Sequence, residues 1–135
     1  MFPSDTYKEL CIENQKVLRE EWEPKFGDWF YDPGQEKVLL LTRPNVWFVG
    51  APGRFVEYNI PLFALRQLIG KIEERGYDWL IESGALRDEG KRYEVVLFGL
   101  CSKPDTKIKL RAEGPDPETA LLKAYLEVVD SGQNT

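Results

Sequence analysis

The sequence predicts an α+β sandwich, an antiparallel β-meander with N-terminal, inserted and C-terminal helices packed on it. Apolar residues recur with helical spacing near each end and once in the middle. The segments between them are short runs of β-branched and aromatic residues punctuated by Pro and Gly. The resulting order is α–ββ–ββ–α–βββ–α, which favours helices layered on antiparallel strands. At 135 residues the chain is long enough for one core. No internal repeat, low-complexity tract or long linker divides it, so residues 1–135 read as a single domain, with a flexible tail over 131–135.

Residues 4–22, SDTYKELCIENQKVLREEW, read as one amphipathic helix with Tyr7, Leu10, Cys11, Val17, Leu18 and Trp22 on its inner face. Thr6 followed by Glu9 offers a capping box. Pro24 and Gly27 end the helix. DWFY and EKVLLLT then read as two strands joined at Asp32–Pro33–Gly34, where Pro presets φ and Gly takes a positive φ. The stretch VWFVGAPGRFVEY at 46–58 offers two more β-favouring runs, Val46–Trp47–Phe48–Val49 and Phe55–Val56–Glu57–Tyr58. Its GAPGR centre superficially suggests a phosphate loop. Such a loop requires G-x-x-x-x-G-K-[ST] leading from a strand into a helix. Here Gly50 and Gly53 are only three apart, Arg54 is followed by Phe55, and a β-favouring run comes next. The stretch therefore reads as a hairpin turn.

Residues 61–75 form the second predicted helix, with Pro61 at its first position, Gly76 as its stop and Leu62, Leu65, Leu68, Ile69 and Ile72 as its buried stripe. Gly70 within it suggests the close approach of a neighbouring element. Strands at Tyr77–Glu82, Arg92–Leu100 and Lys107–Ala112 follow, the first two separated by the polar loop SGALRDEGK. In the last strand Ile108, Leu110 and Ala112 alternate with Lys107, Lys109 and Arg111, predicting one buried and one wet face. The final helix has Asp116 as its cap, Pro117 in its first turn and Leu121, Leu122, Ala124, Tyr125, Val128 and Val129 facing inward. Gly132 is its predicted end.

Composition narrows the chemistry. The net charge of −5 argues against a general affinity for nucleic acid. The absence of histidine removes Ser–His and Cys–His nucleophile activation and His-containing metal sites. Two cysteines suit a reducing compartment. No leader and no membrane-length apolar run are visible, so a cytoplasmic protein is expected. Aromatics are abundant, with 4 Trp, 6 Tyr and 7 Phe, and could supply an interface as well as a core.

Candidate binding residues follow from these biases. In GDWFYD, Trp29 and Tyr31 face one way and Phe30 the other, offering a stacking surface for a base, a sugar or a partner's side chain. Any half-buried strand shows the same alternation. Trp47 and Trp79 share that ambiguity. Lys103, Lys107, Lys109 and Arg111 form a local basic strip that could meet an anion, or could equally discourage edge-to-edge pairing. Arg54 could fork an anion from its turn. Glu20, Glu21 and Glu23 read as a solvated helix end. Cys11 lies on an apolar helix face and reads as buried, and with Cys101 it gives too few ligands for zinc. No catalytic set, metal site or cofactor site is expected.

Two segments resemble known families. The ending DPETALLKAYLEV after a short strand is similar to the closing helix of the phage ABA-sandwich group. Trp22–Glu23–Pro24–Lys25–Phe26–Gly27–Asp28–Trp29 matches the W-x-P-K-x-G-D-W segment of phage proteins from Gram-positive hosts. Ile60–Pro61–Leu62–Phe63 with Gln67–Leu68 resembles the strand-then-helix segment of the same proteins. The resemblance implies a fold and a phage or prophage setting, and no catalytic residue.

The sequence therefore leads to a non-enzymatic accessory protein that binds a protein partner, or a second copy as a homodimer, in the bacterial cytoplasm. The alternative is a binder that sequesters a small anionic, nucleotide-type ligand to counter host defence, using Trp29, Tyr31, Trp47, Arg54, Lys107, Lys109 and Arg111. Carboxylate-based hydrolysis lacks two acids with a spacing that implies a shared site.

Overall fold

The computed structural model describes residues 2–42, 56–84, 92–99 and 108–133. It has the α+β class, with its strands divided between two three-stranded antiparallel sheets rather than gathered in one meander. The chain clusters into two compact units, Met1–Ala64 and Leu65–Thr135.

In the first unit, the helix expected over residues 4–22 is broken into α1 (Asp5–Glu13) and α2 (Gln15–Glu20). Asn14 sits between them at φ −112°, and its side-chain amide donates to the Leu10 carbonyl at 2.9 Å. An Asn side chain that bonds the local backbone competes with helix continuation. The N-cap is Ser4, not Thr6. Ser4 has extended backbone angles and its Oγ accepts the Tyr7 amide at 3.1 Å, whereas Thr6 is exposed within the first turn. Tyr7, Cys11, Leu18 and Trp22 are buried as the periodicity predicts.

Strand β1 (Trp29–Asp32) lies between β2 (Lys37–Leu40) and β3 (Ile60–Pro61). The β1–β2 hairpin closes through the Asp32 carboxylate, which accepts the Gly34 amide at 2.9 Å. The positive φ that the turn needs falls on Glu36, at 52°, rather than on Gly34. Two further sequence expectations fail between 55 and 61. Residues 56–58 are helical, not strand. Pro61 does not start a helix; it pairs with Phe30 in β3, which among the described strands is an edge strand, a place where a missing N–H is tolerated. Long side-chain reaches fasten these short elements. The Tyr7 hydroxyl donates to the Phe63 carbonyl, and Arg19 Nε donates to the Asn59 carbonyl at 2.9 Å.

The second unit begins with α3 (Leu65–Glu74), followed by β4 (Tyr77–Gly84), β5 (Arg92–Gly99), β6 (Ile108–Gly114) and α4 (Pro117–Gln133). Its sheet is the expected meander, in the order β4-β5-β6. Gly76, at φ +87°, ends α3 as predicted, and its amide bonds back to the Glu73 carbonyl at 3.0 Å. Gly70 faces open space, so it marks no close approach. Asp116 caps α4, its carboxylate accepting the Thr119 amide at 2.7 Å. All six residues expected to face inward from α4 are buried. The helix does not stop at Gly132, and α4 runs on through Gln133 into the expected tail. Over 110–112 the expected alternation holds, with Leu110 and Ala112 half-buried and Arg111 exposed, and a register shift at Leu97/Phe98 sets Ile108, not Lys109, opposite Phe98.

Candidate functional site

The residues singled out in the sequence do not converge on one described site. Trp47, Arg54, Lys103, Lys107 and Cys101 lie outside the described residues, as do the side chain of Lys109 and the GAPGR stretch expected to turn a hairpin. Phe30 is buried, while Trp29 and Tyr31 are half-buried on the other side of β1. Their rings already have neighbours from the same chain. Phe2 packs edge-on to Trp29 at 6.1 Å between centroids, and Lys8 Nζ stands 5.7 Å from the centre of the Tyr31 ring. Phe2 also tilts against buried Tyr7 at 5.5 Å. This is the covered-strand arrangement that aromatic alternation by itself equally predicts.

The W-x-P-K-x-G-D-W segment resolves into a structural latch. Asp28 is buried, and its Oδ2 accepts both the Trp22 indole N–H at 3.1 Å and the Lys25 amide at 2.9 Å. Gly27 turns the chain at φ +94° so that its amide and that of Leu41 can close the neighbouring strand ends. Cys11 is fully buried, and burial pushes its thiol up to about 12, against a smaller downward pull from its hydrogen bond with Tyr7. A thiol of that kind is not a nucleophile at neutral pH. Burial also raises the Glu118 carboxyl, with Asp116 adding to the effect. Glu20 and Glu23 are exposed, as a solvated helix end requires. Among the described residues no group of three or more His, Cys, Asp or Glu is placed to hold a metal ion. No described helix is long and apolar enough to cross a membrane.

A surface does emerge in the second unit. Register puts Trp79, Leu97 and Leu110 in one cross-strand row, Ile81, Val95 and Ala112 in the next, and Tyr93 beside Gly114 in a third. This face lies under α4, since a Cβ on Gly114 would stand 2.8 Å from the Ala120 nitrogen and 3.1 Å from Thr119 Cβ. The opposite face carries Leu80, Val96 and Arg111 in one row, with Glu82, Glu94 and Glu113 abreast in the next. Like charges directly opposite one another are unfavourable. Two arginines offset this row: Arg92 reaches Glu113 at 3.6 Å, and Arg111 donates to Glu94 at 3.3 Å. The Arg92–Glu113 pair is largely exposed and Arg111 meets a half-buried Glu94, and pairs so near water stabilise little. Leu80 is 43% exposed and Phe98 half-buried on this face. Arg111 of the predicted basic strip is thus held by Glu94 within a mixed-charge surface. Sequence reading passed over this face, although the alternation of Leu80 with Asp78 and Glu82 already placed a large apolar side chain among acids.

Comparison of the chain with protein families, curated proteins and solved structures gives no match.

Proposed function

We propose that the chain is a non-enzymatic accessory protein of phage or prophage type that acts by binding a protein partner in the bacterial cytoplasm. The observation that carries the binding role is the open face of the β4-β5-β6 sheet. There Leu80 is exposed and Phe98 half-buried beside Val96, ringed by Asp78, Glu82, Glu94, Arg92, Arg111 and Glu113. An apolar centre with a charged rim is the composition of a protein-binding surface. The phage setting is supported by the motif resemblances alone.

Native mass spectrometry of the protein isolated gently from its host tests this reading. A protein partner in stoichiometric amount is expected, and a Leu80→Asp variant that keeps its circular dichroism should lose it. A bare chain with a bound mass of nucleotide size would replace this reading with the small-anion alternative. A homodimer would make the partner a second copy.

A further inference from the structure

Among the described strands β4 stands at the edge of its sheet, pairing with β5 on one side only. In an antiparallel pair, alternate residues turn their N–H and C=O toward the partner strand and the others turn them outward. The Trp79 amide donates to the Asp78 carboxylate at 2.9 Å. That assigns Tyr77, Trp79, Ile81 and Ser83 to the outward set. Among the described residues no hydrogen bond takes up the outward amides of Ile81 and Ser83. The side chains between them, Asp78, Leu80 and Glu82, stand on the open face, and all three are exposed.

The geometry points to strand addition: the β4 edge is a docking site for an extended segment of another protein with the pattern basic–x–apolar–x–basic. This rests on the protein-binding reading above and adds its mode and the partner's chemistry. In an added strand, residues opposite one another share a face and lie about 5 Å apart at Cβ. Lysine or arginine would then stand against Asp78 and Glu82, and an apolar side chain against Leu80. The free edge amides supply main-chain hydrogen bonds, and the alternating side chains supply selectivity. The same acids disfavour a second β4, because an antiparallel copy centred on Leu80 would set Asp78 against Glu82. The chain's overall charge of −5 opposes self-pairing further.

The test uses the full chain and a capped, fluorescein-labelled peptide, Thr-Lys-Thr-Leu-Thr-Lys-Thr, read by fluorescence anisotropy. It should bind at least tenfold more tightly than a scrambled peptide of the same composition. The double variant Asp78→Lys, Glu82→Lys should weaken binding at least tenfold, while charge reversal at Glu20 and Glu23 should leave it unchanged. N-methylation of the alternate peptide amides that face β4 should abolish binding, and this arm needs no change to the protein. Equal binding of the scrambled or N-methylated peptide would overturn strand addition. So would a dimer in sedimentation that Asp78→Lys disrupts. A chain that fails these peptide arms yet keeps a host partner through Leu80 loses this inference and retains the protein-binding reading.

Discussion

The two compact units hold themselves together by different means. The first is assembled from short elements, with strands of 4, 4 and 2 residues and helices of 9 and 6, fastened at single points by polar side chains. Asp28 grips the Trp22 indole, Tyr7 reaches the Phe63 carbonyl and Arg19 reaches Asn59. The second is assembled from strands of 7 or 8 residues and helices of 10 and 17, with Val95 and Leu97 of the sheet and the inward residues of α4 buried. Point fastenings are directional and fail one at a time. A packed layer distributes its stabilisation over many weak contacts and fails mainly where two surfaces are forced apart.

That contrast can be broken in order of expected effect, with native-state hydrogen exchange reporting which unit responds. Gly114→Ala should be the most damaging. Its new methyl must displace the first turn of α4, and overpacking of this kind costs about 2–3 kcal/mol. Protection should fall across β5, β6 and α4, and unchanged protection there would show that the layer tolerates separation. Asp28→Ala comes next. It leaves the buried Trp22 indole N–H without its acceptor, a loss of about 2 kcal/mol. Its effect should be confined to the first unit, and Asp28→Asn, which keeps an acceptor, should recover part of it.

A pH effect ranks third. The Cys11 thiol is raised in the folded state, so the native chain holds its proton more tightly than the unfolded chain does. Its contribution is full below the ordinary thiol range near pH 9 and is lost as pH climbs toward about 12. The slope in that window is about 1.4 kcal/mol per pH unit. Urea titrations at pH 8 and pH 10 should show this loss in the wild type and not in Cys11→Val. Equal pH dependence in the two proteins would mean that the thiol is not sealed. The smallest effect sharpens the comparison from the other side. Gly70→Ala places a methyl in open space on α3 and should stabilise the second unit by about 0.5–1 kcal/mol. A loss would mean that the helix surface there is in use.

The same contrast decides what the sequence discloses. The final helix is legible because its inward residues recur with helical spacing from Leu121 to Val129 and a capping Asp precedes a Pro, so many weak signals agree. The β4, β5 and β6 spans come through nearly intact for the same reason. In the first unit each element is too short for periodicity to outvote local chemistry. Pro61 satisfies the grammar of a helix start, yet pairing with Phe30 claims it for a strand. Asn14 is one polar residue in an otherwise helical pattern, and its side-chain bond to Leu10 is enough to break the run. The Asp28 latch joins residues that are close in sequence, but nothing in a residue pattern states that a carboxylate will be buried against an indole. The open face containing Leu80 was hidden differently. Its residues come from three strands, and only register brings them together.

Register also works as a form of proofreading in the second sheet. A one-residue slip of β5 would exchange its two faces, bringing Arg92, Glu94 and Val96 under α4 and turning Val95 and Leu97 out to water. A misaligned sheet would thus have charges beneath a helix packed so tightly over Gly114 that it leaves no room even for a Cβ there, and it could not seal. Burial of α4 therefore depends on the alignment of the strands beneath it. A misthreaded copy is rejected by failing to bury its own C-terminal helix.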